Sequence, residues 1–420
     1  MNFFARYKKI FLVLGFLIII VLFAYLIWRF FFQAPVITPV ATSTPGVIGN
    51  LPTPGTGSTV GGDITGPDGL PINGGPSTII PAGSGAPNTN EPSPIAVGGI
   101  TKTEILNQAP SINPTINNSG QVQYYDSGDG KFYKIDSAGN KTILSDKIFH
   151  LVNQVTWAPD DDRAILEYPD GSKILYNFAT EKQVTLPAHW EDFSFSTDSE
   201  KIIAKSIGLD PNNRWLVVAN DDGSQAKALE EIGTKDSTVY PAWSPNNQIV
   251  ALYTQGVDFD RQEVFFVGLN DENFKSTIVE GRGFQSQWST TGDRLLYSVY
   301  NTRDNLNPRL WIVDASSDTI GQSRTSLNLQ TWASKCTFAS NTEIYCAVPD
   351  NLEKGSGLFP ELADRTQDSL YKIDLTTGSQ KLIAVPDGAY NISQIMVPSG
   401  QDYLYFTDKF SGSIYKVKLR

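Results

Sequence analysis

From residue 115 onwards the chain repeats one pattern seven times, and nothing else in it restricts the fold as strongly. Each unit opens with an apolar or aromatic residue, a polar turn and a short β-rich run. These read TINNSGQVQYY from Thr115, TWAPDDDRAILEY from Thr156, SFSTDSEKIIAKS from Ser194 and AWSPNNQIVALYT from Ala242. They continue as QWSTTGDRLLYSV from Gln287, TFASNTEIYCAV from Thr337 and MVPSGQDYLYFT from Met396. The marker residues Ile116, Trp157, Phe195, Trp243, Trp288, Phe338 and Val397 stand 38 to 59 residues apart. A second run follows in every unit (KFYKID, KILYNF, RWLVVA, EVFFVG, RLWIVD, SLYKID, SIYKVK), often ending in a hairpin turn such as DSAGN or NDDGS. A third short run closes most units, as in KTILS, QVTLP and STIVE, and is weak near Thr325 in the fifth.

Four short strands in about 45 residues, repeated around a ring, is the arithmetic of an all-β, seven-bladed β-propeller over residues 99–420. A six-bladed ring is the alternative if the feeble first unit pairs differently. The seventh unit ends at Leu419 without a fourth strand, and the strand-like GITKTEIL at Gly99–Leu106 belongs to no unit. That segment is expected to supply the missing outer strand and so remove the open sheet edges. The element seen as TWAPDDDRAIL and AWSPNNQIVAL resembles the TolB-like (WD-type) β-propeller repeat. Only Trp157, Trp243 and Trp288 carry its tryptophan, and only two units carry its proline. The resemblance implies a rigid platform for other proteins, some relatives carrying an added hydrolase domain.

Ahead of the repeats lie two segments of very different composition. Residues 10–32 read IFLVLGFLIIIVLFAYLIWRFFF, with Arg29 the sole charge. As a helix they span about 34 Å, enough for the hydrocarbon core of a bilayer. Arg6, Lys8 and Lys9 precede the run, so the positive-inside bias keeps residues 1–9 cytoplasmic and sends the bulk of the chain across. The bulky Trp28, Phe30, Phe31 and Phe32 stand where a signal peptidase requires small residues, which favours an uncleaved signal anchor. Residues 33–98 are rich in Pro, Gly and Thr, with Asp63, Asp68 and Glu91 the only charges. They bury too little to offset ordering entropy and read as a disordered linker of roughly 45 Å root-mean-square span. The expected location is the cell membrane, single-pass, with the C-terminal domain extracytoplasmic.

Composition removes several functions. Net charge is −11; the four cations of residues 1–32 and the three acids of the linker leave about −12 on the remainder. Such a domain is a poor ligand for nucleic acid or anionic lipid surfaces. Two histidines and two cysteines cannot furnish a four-ligand Cys/His zinc centre. His150 and His189 fall in loops between units with no matching serine motif, and neither Gly-x-Ser-x-Gly nor a phosphate-cradling glycine loop occurs. The Asp-rich turns Asp126–Asp129, Asp160–Asp162 and Asp221–Asp222 lack calcium-loop spacing and read as hairpin turns. No catalytic residue, metal or cofactor is assigned. Cys336 and Cys346 flank the turn Ser340–Asn341–Thr342, and pairing Ala339 with Glu343 sets the two cysteines directly opposite. An oxidising compartment favours a disulfide there; two buried thiols are the plainer alternative.

Candidate functional residues come from topology. In a propeller, the loops joining second to third strands share one face with those joining a fourth strand to the next blade. These loops present His189, Trp190, Tyr240, Arg282, Phe284 and Tyr390 from the second type, and Phe259, Asp260 and Arg303 from the first. The long stretch Pro349–Ser369, with its LFPEL core around Phe359, is the outstanding insertion on that face. The alternative for each aromatic is packing beneath its neighbouring blade. The sequence therefore favours a non-enzymatic scaffold or ligand-capture module for an envelope or secreted protein or peptide. The alternative is a glycan- or peptide-directed hydrolase or lyase with carboxylates at the channel mouth. Signalling through the tail is weak, since residues 1–9 form no domain.

Overall fold

The computed structural model describes residues 21–23, 91–270, 272–400 and 402–420. The expected tail, membrane helix and linker lie almost wholly outside these residues. Among the described residues no helix is long and apolar enough to cross a membrane.

Among the described residues seven sheets are present, one for each repeat. Blade one is formed by Ser111–Ile116, Val122–Asp126, Lys131–Ile135 and Lys141–Ile143, paired antiparallel in chain order from the innermost strand outwards. The same order recurs through blade six. The first unit thus pairs within itself, and the six-bladed alternative falls. Blade seven has three strands of its own, Ile392–Met396, Tyr403–Asp408 and Ile414–Lys418. Its fourth is Thr103–Ile105, antiparallel to Ile414–Lys418 with Glu104 opposite Lys416. The expected closure is therefore found, with one addition. Ile100–Thr101 lies parallel to Val385–Pro386 on the edge of blade six, so the incoming segment joins two blades.

Side-chain alternation explains why these runs form a ring rather than separate hairpins. Each two-faced strand sends one set of apolar residues to the preceding blade and the other to the next. Seven buried clusters result, one at every blade-to-blade contact. Val122, Tyr124, Met396 and Tyr405 close the ring between blades seven and one. Phe132, Phe149 and Tyr176 fill the next interface with edge-to-face aromatic contacts.

The repeat residues have separate jobs in this ring. Trp157 Nε1 donates to Asn113 O of the preceding inner strand at 2.8 Å, and Trp288 Nε1 to Ala242 O at 3.0 Å. Ser244 and Ser289 are buried beside their tryptophans, each Oγ accepting a backbone N–H across the turn, from Ile249 at 2.9 Å and Arg294 at 3.1 Å. Successive turns are also tied to one another: Asn118 to Asp161, Thr197 to Pro245, Asn246 to Gly292 and Thr291 to Asn341. On this face, here called the lower one, hydrogen bonds link the turns of blades one to six in succession, Asp160 N donating to Ser199 Oγ between blades two and three.

The disulfide Cys336–Cys346 is formed, its residues directly opposite with Cα atoms 4.0 Å apart. The register beyond it departs from expectation. Ser340, not Ala339, faces Glu343, because the strand bulges at Ala339 and the connection tightens to Asn341–Thr342.

Candidate functional site

The opposite, upper face carries the loops singled out from the sequence, and the structure sorts their residues into three groups. Trp190 and Phe284 are 4% and 5% exposed and belong to interblade cores, Phe284 stacking on Tyr297 at 5.7 Å. Tyr240 is half-buried against Phe284. Tyr390 is half-buried too, and its hydroxyl lies 3.0 Å from Thr103 Oγ1 of the closing strand. These four serve packing or closure. His189 is exposed and stands apart on the connection between blades two and three. The third group is brought together: Phe259, Asp260 and Arg303 line a cleft of about 260 Å³, and Arg282 Nη1 donates to Asp258 O beside it at 2.9 Å.

From that cleft a continuous crest runs over blades four to seven, built by hydrogen bonds from loop to loop. Asp260 accepts from Thr302 N at 2.9 Å and Thr302 Oγ1 at 2.5 Å, joining the blade-four loop to that of blade five. The blade-six insertion continues the line, Gly355 N donating to Asn305 O at 2.9 Å and Gly357 N to Leu306 O at 2.8 Å. A side chain at Gly357 would strike Leu306 O at 2.7 Å and Tyr300, so this close approach requires glycine. At the far end Asp364 pairs with Lys409 of the blade-seven loop. The insertion is thereby held at both ends.

Large apolar side chains stand exposed along this crest: Phe259 at 65%, Phe359 at 53% and Phe410 at 66%, with Val257, Leu358 and Leu362 between them. Leu209 on the blade-three loop and Ile148 and Leu151 between blades one and two extend the set. Leu151 holds its outward position with φ +60°, a conformation that a leucine adopts only under constraint. Among the described residues of the lower-face turns no large apolar side chain is exposed. The asymmetry is the main surface property of the domain. Phe410, Leu209 and Leu151 were not singled out from the sequence, although Phe410 and Leu209 are bulky apolar residues inside short polar turns; Leu151 stands in the apolar stretch IFHLV, which reads as core.

Beneath the insertion lies a buried ionic node. Lys335 Nζ, on the connection into blade six, donates to Asp368 Oδ2 at 2.9 Å and Oδ1 at 3.1 Å. Asp368 Oδ2 also accepts Ile392 N at 2.6 Å, and Asn391 Nδ2 donates to Ala363 O at 2.8 Å. Both charges are almost fully buried. Burial pushes the Lys335 ammonium below and the Asp368 carboxyl above their ordinary values, against the attraction of the pair. The node fixes the end of the insertion against blade seven.

Carboxylates are scarce at the channel. In the seven inner strands the acids are Glu191 and Asp192 alone, and Asp192 is held by Lys205. Glu167 nearby pairs with Lys173 at 3.4 Å, and burial raises its carboxyl above the usual range. Among the described residues no three His, Cys, Asp or Glu side chains are grouped to hold a metal ion.

No protein-family model matches the chain, and no curated protein sequence matches it. Among solved structures, an oligogalacturonate lyase from Vibrio parahaemolyticus aligns with a TM-score of 0.51 at 10% identity, covering 76% of this chain and 93% of the lyase. The β-propeller domain of Cps50 from Myceliophteria thermophila aligns at 0.49 and 12% identity, over 76% of this chain and all 100% of that one. For the β-propeller domain of the Trilobed protease from Pyrococcus furiosus the values are 0.49 and 12%, over 75% and 94%. At such identities the likeness concerns the fold alone.

Proposed function

We propose that the chain is a membrane-anchored, extracytoplasmic propeller of the TolB-like kind that captures a protein or peptide at the cell envelope on its upper face. The observation that carries this reading is the one-sided crest of Phe259, Phe359 and Phe410 on loops tied rigidly together. Apolar side chains fixed outward lose little entropy on binding, which suits an interface core.

The test is photo-crosslinking in intact cells from positions 359 and 410, with position 138 on the lower face as control. One discrete crosslinked species from the upper positions is expected, and that from position 410 should be lost in Phe259→Ser/Phe359→Ser. Equal patterns from both faces would overturn the reading. Protease added outside the cells must reach the propeller without lysis; complete protection would remove the proposed location.

One observation favours an enzyme as the second reading: Glu167, raised by burial, lies within electrostatic reach of Glu191 and Asp192. Cleavage of a glycan or peptide that is abolished by Glu167→Gln would carry that reading instead.

A further inference from the structure

The chemistry of the captured partner is written in the cleft beside the insertion. It measures about 500 Å³, with Leu352, Leu362 and Phe410 as apolar walls and Asp350, Glu353 and Asp364 facing a single guanidinium, Arg365. Asp364 is already neutralised by Lys409. Asp350 is oriented by neutral donors alone, Ser369 Oγ at 2.6 Å and Gln367 Nε2 at 2.8 Å, which aim the carboxylate without cancelling its charge. Among the described residues the Glu353 side chain has neither hydrogen bond nor ion pair. The cleft therefore combines apolar walls with an excess of negative charge, and it opens directly onto the exposed crest.

We propose that this cleft receives a lysine or arginine side chain of a partner polypeptide, carried in an apolar segment that lies along Leu358, Phe359 and Phe410. The inference rests on the capture function above and gives its partner a chemical class. A long basic side chain is the complementary shape: its methylene stem packs on Leu362 and Phe410 while its head meets Asp350 and Glu353. Charge-assisted hydrogen bonds to the two exposed carboxylates are stronger than neutral ones and set the register of the segment. The acidity of the whole domain, near −12, accelerates encounter with a basic segment and repels anionic surfaces. A small inorganic cation would leave most of the volume and all of the apolar wall unused.

The experiment pans a random dodecapeptide display library on the full-length protein in detergent, then measures the enriched peptides by fluorescence anisotropy. Peptides with a Lys or Arg between apolar or aromatic residues are expected. Their affinity should fall at least tenfold in Asp350→Asn/Glu353→Gln and in Phe410→Ser, and several-fold between 0.05 and 0.5 M NaCl. Glu353→Gln alone removes no internal bond, so a loss there cannot be misfolding. Enriched peptides without basic residues, or unchanged affinity in the carboxamide variant, would overturn the inference. If such peptides still depend on Phe359 and Phe410, the capture function stands and only its charge rule fails. If no enriched peptide responds to any crest substitution, both fail. Crest-dependent binding to phosphatidylcholine/phosphatidylglycerol vesicles would replace the polypeptide with a lipid surface.

Discussion

At the scale of single residues, the Lys335–Asp368 node shows how a buried charge pair can serve geometry more than stability. Removing one partner strands the other in a low-dielectric interior, whereas replacing both with apolar residues removes the desolvation cost as well. Asp368→Asn is expected to lower unfolding free energy by about 3–5 kcal/mol. Lys335→Met/Asp368→Leu should cost clearly less while loosening the insertion, and urea denaturation of the three proteins measures this. The carboxyls also predict a pH profile with two limbs. Burial raises Glu167 and Asp161 in the folded chain, so they take up protons above the unfolded carboxyl value of about 4. Stability therefore rises as pH falls from neutral through their folded values towards about 4. Turn carboxyls behave in the opposite way: Asn140 holds Asp136 low, Ser196 holds Asp198 low, and the Thr376 amide holds Asp374 low. Their contribution is present above about pH 4 and is lost as pH falls through their depressed values. Urea midpoints from pH 3 to 8 should peak in mild acid, and Glu167→Gln should flatten the neutral-to-acid rise. A monotonic profile would contradict this assignment.

At the scale of strands and turns, the disulfide staples the two inner strands of blade six within the core shared with blade five. Its 10-residue separation predicts about 2–3 kcal/mol lost on reduction or in Cys336→Ala/Cys346→Ala. Thermal unfolding with and without reductant measures it, and an unchanged midpoint would show that the hairpin is held by packing alone. This element also shows how far the sequence could be read. Opposition of Cys336 and Cys346 follows from strand periodicity, because a hairpin has one register that pairs them. The bulge at Ala339 was hidden, since a one-residue shift next to a turn leaves the apolar pattern intact. For the same reason the two-residue pairing of Ile100–Thr101 was invisible: two residues carry no period. The weak fifth unit was legible as such, its outer strand shrinking to Thr325–Ser326. Site residues were harder. Trp190 and Phe284 sit at strand starts where sequence cannot separate a loop tip from a core position. The Lys335–Asp368–Asn391 node joins residues up to 56 positions apart from three connections, so no local pattern marks it.

At the scale of the whole molecule, the stability of the ring is coupled to its closure. Every blade buries one face on its predecessor and one on its successor, so opening any interface exposes two apolar sheets at once. The interface between blades seven and one depends on a strand more than 300 residues away in sequence from its partner. Thr103–Ile105 pairs with Ile414–Lys418, and Leu106 N donates to Ile414 O at 2.8 Å. Thr103 adds a second attachment, its N–H and hydroxyl donating to Asp387 Oδ1 at 3.1 and 2.6 Å. At about 1 kcal/mol per hydrogen bond, with the burial of Leu106 in addition, the segment contributes on the order of 5 kcal/mol. A chain beginning at residue 107 is therefore expected to unfold at markedly lower urea and to lose cooperativity, with blade seven opening first. Its uncovered strand Ile414–Lys418 becomes an unpaired edge, so association through that edge should appear by light scattering. Adding the peptide of residues 91–106 in trans should restore the midpoint in a concentration-dependent way. Asp387→Ala separates the two attachments: it leaves the strand pairing but removes the Thr103 clamp, and should cost about 1–3 kcal/mol without exposing the edge. If the truncated chain kept the full midpoint and stayed monodisperse, the ring would be held by its interblade cores alone. The incoming strand would then be an attachment of the linker rather than the closure of the fold.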